Sequence, residues 1–173
     1  MAFSWGSKRI AGQVFDLKHL DPMVVHVPPS GNLAGYKVHV SFGMHTFTKD
    51  WDSVAHRPDY RMVHKQDERC FCPVRHGHSQ HLPGIVRTAT VAYFSQRADY
   101  LLINNLPGVV GQYAVFFKIM KATSVNFDAR MFVSSAYEKE KLPPKNAISS
   151  IPFSTLVAKT VAGESITRKK PKK

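Results

Sequence analysis

Nine histidines in 173 residues are the chain's most versatile reactive groups, because an imidazole titrates near neutral pH and serves as proton donor or acceptor. Cleaving RNA without a metal needs a base for the 2′-hydroxyl proton and an acid for the departing 5′-oxygen. It also needs a cation or hydroxyl beside the charge that builds on phosphorus. Histidine suits the first two roles; Arg75 and a serine or tyrosine suit the third. The residues that could combine in this way are His39, His45, Thr46, Arg75, His76, Ser134, Ser135 and Tyr137. His45 follows one predicted strand and the hydroxyls of Ser134, Ser135 and Tyr137 close another, an arrangement that fits a cleft across a sheet. The plainer alternative is structural: with so many histidines some pair always looks suitable, His45 then caps a turn and Tyr137 anchors a sheet edge.

A second cluster is Cys70-Phe-Cys72-Pro-Val-Arg-His76-Gly-His78-Ser-Gln-His81. Thiolates and imidazoles form tetrahedral zinc sites, and Cys70, Cys72, His76 and His78 would be the ligands. The spacing speaks against it, since zinc ribbons place two residues between paired cysteines so that the backbone curls round the ion. Phe71 and Pro73 look like packing residues beside a buried thiol. A disulfide between such close neighbours would constrain almost nothing, and reduced thiols fit a cytosolic protein. No GxGxxG, P-loop, GxSxG, HExxH or EF-hand pattern occurs, so the expectation is a chain without cofactor.

Charge points to the partner. The formal net charge is +12, and the last six residues, Arg168 to Lys173, hold five basic residues and no acid. A field of this sign attracts phosphate polymers. RNA is the expected partner, met by Arg57, Arg61, Lys65, Arg69, Arg87 and Arg97 in the middle of the chain. Tyr93, Phe94, Tyr100, Tyr113, Phe116 and Phe117 alternate with Arg97 and Lys118; exposed aromatics stack bases, although at strand spacing most should be core. No apolar run reaches the length of a membrane helix, and the N-terminus lacks the apolar segment of a secretory signal. The expected location is the cytoplasm.

The elements that must position these groups read as one α+β domain: a mainly antiparallel sheet of four to six strands with one or two packed helices. Residues 1–20 form a flexible arm, 21–163 the globular domain and 164–173 a disordered basic tail. Met23 to Val27 is a short strand. Tyr36 to Phe42 alternates cleanly, with Tyr36, Val38, Val40 and Phe42 inward and Lys37, His39 and Ser41 outward. Residues 49–69 read as a polar loop, 70–81 as a compact turn and 82–92 as a short helix. Ala98 to Asn104, Gln112 to Ala122 and Ala129 to Tyr137 form a meander, its last two strands a hairpin. A final apolar segment, 148–161, is a strand or a short helix.

The pieces His45-Thr-Phe-Thr48, Arg69-Cys-Phe-Cys-Pro73, Ser79 to Leu82-Pro-Gly-Ile-Val86, Tyr113-Ala-Val-Phe-Phe117 and Met131-Phe-Val-Ser-Ser-Ala-Tyr137 occur in this order. Over about residues 36 to 140 the chain resembles small bacterial, often plasmid- or prophage-borne proteins, some labelled stationary-phase growth adaptation proteins, a resemblance that implies little chemistry. More distantly it is similar to the barnase–EndoU–colicin–RelE ribonuclease toxins, through the late strand ending Ser134-Ser-Ala-Tyr137. That likeness implies His45 as acid or base, Arg75 and His76 as phosphate contacts, and Ser135 or Tyr137 as charge stabiliser. It also implies a toxin or mobile-element effector with an acidic antitoxin or immunity partner. No stretch matches one toxin motif outright, and fold does not dictate function. Three functions follow as expectations: a metal-independent endoribonuclease, a non-catalytic nucleic-acid-binding or regulatory protein, and an interaction protein that inhibits or recruits a host complex.

Overall fold

The computed structural model describes residues 4–29, 35–94, 99–139 and 149–166. In chain order the strands and helices are Ser7–Ile10 (β1), Gln13–Asp16 (β2), Met23–Val27 (β3), Tyr36–His45 (β4), Thr48–Asp50 (β5), Arg61–His64 (β6), Asp67–Phe71 (β7), Pro73–Ser79 (α1), Leu82–Arg87 (α2), Val91–Phe94 (β8), Asp99–Asn104 (β9), Gln112–Lys121 (β10), Ala129–Lys139 (β11), Ser149–Pro152 (β12) and Phe153–Ala162 (α3).

The α+β class holds, but the sheet is wider than the sequence suggests. Seven strands run in the order β12-β8-β9-β10-β11-β4-β3, curled and mixed rather than purely antiparallel. β4 carries the alternation through to its end: Val38, Val40, Phe42 and Met44 are buried, while His39, Ser41, Gly43 and His45 are less so. With Val115, Phe117, Met131 and Val133 they build the inner face, closed by Val86 of α2 and Phe153, Leu156 and Val157 of α3.

The parallel partner of β4 is β11, which a turn cannot supply because parallel strands need a long crossover. Asp128 fixes their register at the start: its N–H donates to the Lys37 carbonyl at 2.8 Å, and its carboxylate accepts from the Lys37 N–H at 2.6 Å. Further along, β11 bulges at Ser134, since Phe116 pairs with Ser135 and Phe117 with Val133. A bulge re-aims the residues after it. Ser135 thereby comes level with Phe116 on one side and His45 on the other.

Residues 49–69 are a loop only in part, over 51–60. They supply β5, β6 and most of β7, a second sheet in the order β5-β7-β6. Nor is the N-terminal segment loosely held. β1 and β2 pair as a hairpin, and Trp5, Ile10, Leu17 and Leu20 are buried in the core. The helix expected over 82–92 ends at Arg87, and β8 begins at Val91. Segment 148–161 is both alternatives in turn, β12 and then α3. The basic tail from Arg168 onward and Arg97 lie outside the described residues. Among the described residues no helix is long and apolar enough to cross a membrane.

His19 fastens the N-terminal segment to α1. Ser79 Oγ spends its proton on the His76 carbonyl at 2.7 Å, so it accepts from His19 Nε2–H, also at 2.7 Å. Burial first, and then nearby His76, hold the His19 pKa below its ordinary value, against the opposing pull of Asp16 and Asp21. A histidine whose folded pKa lies below the unfolded value of about 6.5 contributes stability that is full above that pH and declines as pH falls below it. Urea titrations from pH 8 to 5 should therefore show stability falling below about pH 6.5. His19→Gln should flatten that decline, and an unchanged slope in the variant would rule out His19 as its source.

Candidate active site

A cleft of about 890 Å3 opens on the outer face of the main sheet, along β4 and against the β6–β7 hairpin. His45 stands at its end. His45 Nε2 and Asp67 Oδ2 are 2.5 Å apart. An ionised carboxylate only accepts, so Nε2 carries the proton and Nδ1 is the ring nitrogen left to act as a base. Asp67 is in turn the cross-strand partner of His64, and both line the cleft together with Lys65. Two imidazoles, a carboxylate and an ammonium thus line one cleft beside the hairpin tip.

The walls are apolar. Trp5 donates its indole N–H to the Phe42 carbonyl at 3.0 Å and lies 5.4 Å from the His64 ring. Opposite, the Phe132 ring covers Gly43 so closely that a Cβ there would meet Phe132 Cζ at 2.9 Å and the Ser134 carbonyl oxygen at 3.1 Å. Glycine at position 43 is what lets the aromatic wall lie down on the strand.

Of the five expected catalytic residues, only His45 lines this cleft. Ser135 is its neighbour across the β4–β11 pair. Tyr137 stacks on Phe116 with ring centres 5.3 Å apart, and its other contact is the Arg75 guanidinium 5.1 Å from its centre. Arg75 also donates to the Thr48 carbonyl at 2.6 Å. These three therefore gather beside the cleft, held by packing. His76 does not join them: its Nε2 is 3.0 Å from the Asp16 carbonyl oxygen, and its ring packs on Phe15, Phe71 and His19.

The zinc set disperses for the same kind of reason. Cys70 is buried with its Sγ toward the Phe71 carbonyl, and burial pushes its thiol pKa up. His76 is engaged at Asp16, and His78 Nε2 meets the Gly108 carbonyl at 3.0 Å. Among the described residues no group of three His, Cys, Asp or Glu converges as metal ligands would.

The expected phosphate-binding residues also part company. Arg69 is buried, its guanidinium on Asp50 and Thr48, and so is withheld from an external phosphate. Arg57 pairs with Asp59 at 2.5 Å and Arg61 with Glu68; both pairs are exposed and cost little to exchange. Arg87 belongs to α2, in the helical layer over the inner face. Among the five of them that are described, Lys65 alone lines the cleft. The aromatic series is mostly packing: Phe94, Tyr100, Tyr113 and Phe117 are buried, and Tyr93, Tyr100 and Phe116 stack on one another across β8, β9 and β10. Sequence reasoning missed His64 and Asp67, which fell in the presumed loop, and Trp5, which fell in the presumed arm.

The chain belongs to the YjaZ family: that family's model matches residues 7–161, from the start of β1 into the last turn of α3. No curated protein and no solved structure matches it. Every cleft residue named above except Trp5 lies inside the matched span. Membership carries no reaction with it, so the chemistry rests on the cleft, whose shape depends on Gly43. Gly43→Ala should displace Phe132 and strain β11, lowering stability by about 1–3 kcal/mol in urea titrations. Unchanged stability would mean the Phe132 wall yields freely.

Proposed function

We propose that this member of the YjaZ family is a metal-independent endoribonuclease whose reaction centre is the His45–Asp67 pair in the outer-face cleft. The observation that carries the reading is that hydrogen bond at 2.5 Å, in a cleft that His64 and Lys65 also line. A histidine oriented by a carboxylate is the standard arrangement for general-base work, because the carboxylate sets the tautomer and stabilises the imidazolium that forms. In this scheme His45 Nδ1 takes the proton of a ribose 2′-hydroxyl, whose oxygen attacks phosphorus. The bond to the 5′-oxygen breaks, and protonated His64 supplies the proton to that leaving oxygen. Lys65 neutralises charge on the non-bridging oxygens. The products are a 2′,3′-cyclic phosphate and a 5′-hydroxyl, which balances atoms and charge.

The formal charge of +12 supports a polyanionic substrate through steering. The likeness of Ser134–Tyr137 to the ribonuclease toxins adds fold-level weight only. Should the protein act as a toxin, an acidic antitoxin or immunity protein would cover the same cleft, with its carboxylates on Lys65.

Purified protein incubated with total RNA in EDTA should release fragments ending in cyclic phosphate. His45→Ala should slow that release about 10²- to 10⁴-fold, the usual contribution of a general base, with no change in circular dichroism because His45 is half-exposed. RNA that is retarded in a gel yet never cut would replace this reading with non-catalytic binding. Failure to bind RNA or DNA at low salt would leave a protein-interaction role.

A further inference from the structure

Beyond the dyad, the outer face continues into a second hollow of about 290 Å3. It shares His39, Ser41 and Phe132 with the main cleft, so the two form one trough with Phe132 standing between them. Backbone register gives this floor a pattern. Lys118 of β10, Phe132 of β11 and Ser41 of β4 are level across three strands, and the next such row is Met120, Arg130 and His39. Over β10 and β11 cations and apolar groups therefore alternate in both directions, about 5 Å apart across strands, with Ser41 and His39 continuing the rows on β4. Phe132 is 44% exposed and Met120 56% exposed.

Exposed aromatics interleaved with cations suit a strand whose bases are splayed and whose phosphates lie within reach. The trough is also the right length. Six residue steps along β4 lead from His39 to His45, about 20 Å at about 3.3 Å per residue. That distance rules out His39 as the acid partner of His45 at one phosphate, yet it spans a few nucleotides of an extended chain. A duplex would not fit the pattern, since its bases are already stacked and cannot receive the Phe132 ring.

We infer that Phe132 and Arg130 form a flanking-nucleotide subsite. Phe132 stacks on the base next to the scissile bond, Arg130 pairs with the adjoining phosphate, and the substrate is single-stranded RNA. This deepens the ribonuclease reading and rests on it for the position of the scissile bond.

The test uses full-length protein carrying His45→Ala, so that RNA is held without turnover, and fluorescence anisotropy with a labelled single-stranded oligouridylate and a blunt RNA duplex of the same length. The oligouridylate should bind at least about tenfold more tightly than the duplex at equal salt. Adding Phe132→Leu should weaken the single strand about 5- to 100-fold, the range for loss of one stacked base, and leave the duplex unchanged; Phe132→Trp should restore it. Arg130→Gln should weaken the single strand and reduce the salt dependence of its binding. The basic tail, common to all variants, cancels from these comparisons, and thermal melts of each variant report on folding. Equal affinity for strand and duplex, or Phe132→Leu binding that matches its parent in a folded protein, overturns the subsite. The two readings separate cleanly. A Phe132-dependent preference for single strands in a protein that never cuts RNA keeps the subsite and removes the nuclease. Cleavage by Phe132→Leu at parental kcat/KM, with His45 intact, does the reverse.

Discussion

Parallel pairing between β4 and β11 is the constraint on which the outer face depends, because it alone brings the strand bearing His39 to His45 beside the strand bearing Arg130 to Tyr137. Neighbours such as β10 and β11 are joined by a short turn and find each other locally. β4 and β11 lie far apart in sequence, and their register rests on the reciprocal hydrogen bonds between Asp128 and Lys37. A slip of one residue would exchange the faces of β4. Val38, Val40, Phe42 and Met44 would then point to solvent and His39 and His45 into a core with no partners for them, at a cost no surface contact offsets. Core packing and site geometry are therefore the same decision.

The cleft exists because β4 outruns its other neighbour. β3 pairs only as far as Met23 with Val40, which leaves residues 41–45 of β4 with an open edge. Exposed edges invite unwanted pairing and are usually covered. Here the Trp5 indole takes the Phe42 carbonyl, and the tip of the β6–β7 hairpin approaches through the Asp67 carboxylate. Neither cover is a strand, so both leave space, and that space is the cleft. The N-terminal segment is thus a wall of the site, which explains why its tryptophan is buried.

Much of this frame was legible in the sequence, and what was not has identifiable causes. YKVHVSF alternates at period two, and the Gln112–Tyr137 hairpin carries strong β formers about a polar turn; both were found because local pattern and tertiary role agree. The parallel partner of β4 leaves no local trace. β6 and β7 were hidden because they are short, charged and lie in a sheet whose faces are only partly buried. Their turn, Lys65-Gln66, lacks the Asn-Gly type of signal that marks tight hairpins; Lys65 adopts φ 55° without being glycine. With that hairpin unseen, His64 and Asp67 could not be placed next to His45. His45, singled out for its chemistry, lines the cleft, whereas His76 turns to the Asp16 carbonyl, because adjacency to Arg75 in sequence says nothing about direction: on a helix, neighbours point about 100° apart.

Charge follows a similar logic at two scales. The net +12 is a property of the whole molecule and bears on encounter with polyanions, but locally the arginines of the second sheet, Arg69 and Arg61, are spoken for by Asp50 and Glu68. What distinguishes the cleft is therefore not a surplus of cations. It is that Asp67, on the same hairpin as those neutralised arginines, is directed to an imidazole instead. Both partners of that bond sit at strand ends whose backbones are fixed by sheet pairing, so the ring is held in one orientation. In the reaction proposed here little reorganisation would then be needed at the moment of proton transfer, and a preorganised environment is where such groups act most strongly. A carboxylate placed a residue away, on the arginine side of β7, would have made one more surface ion pair.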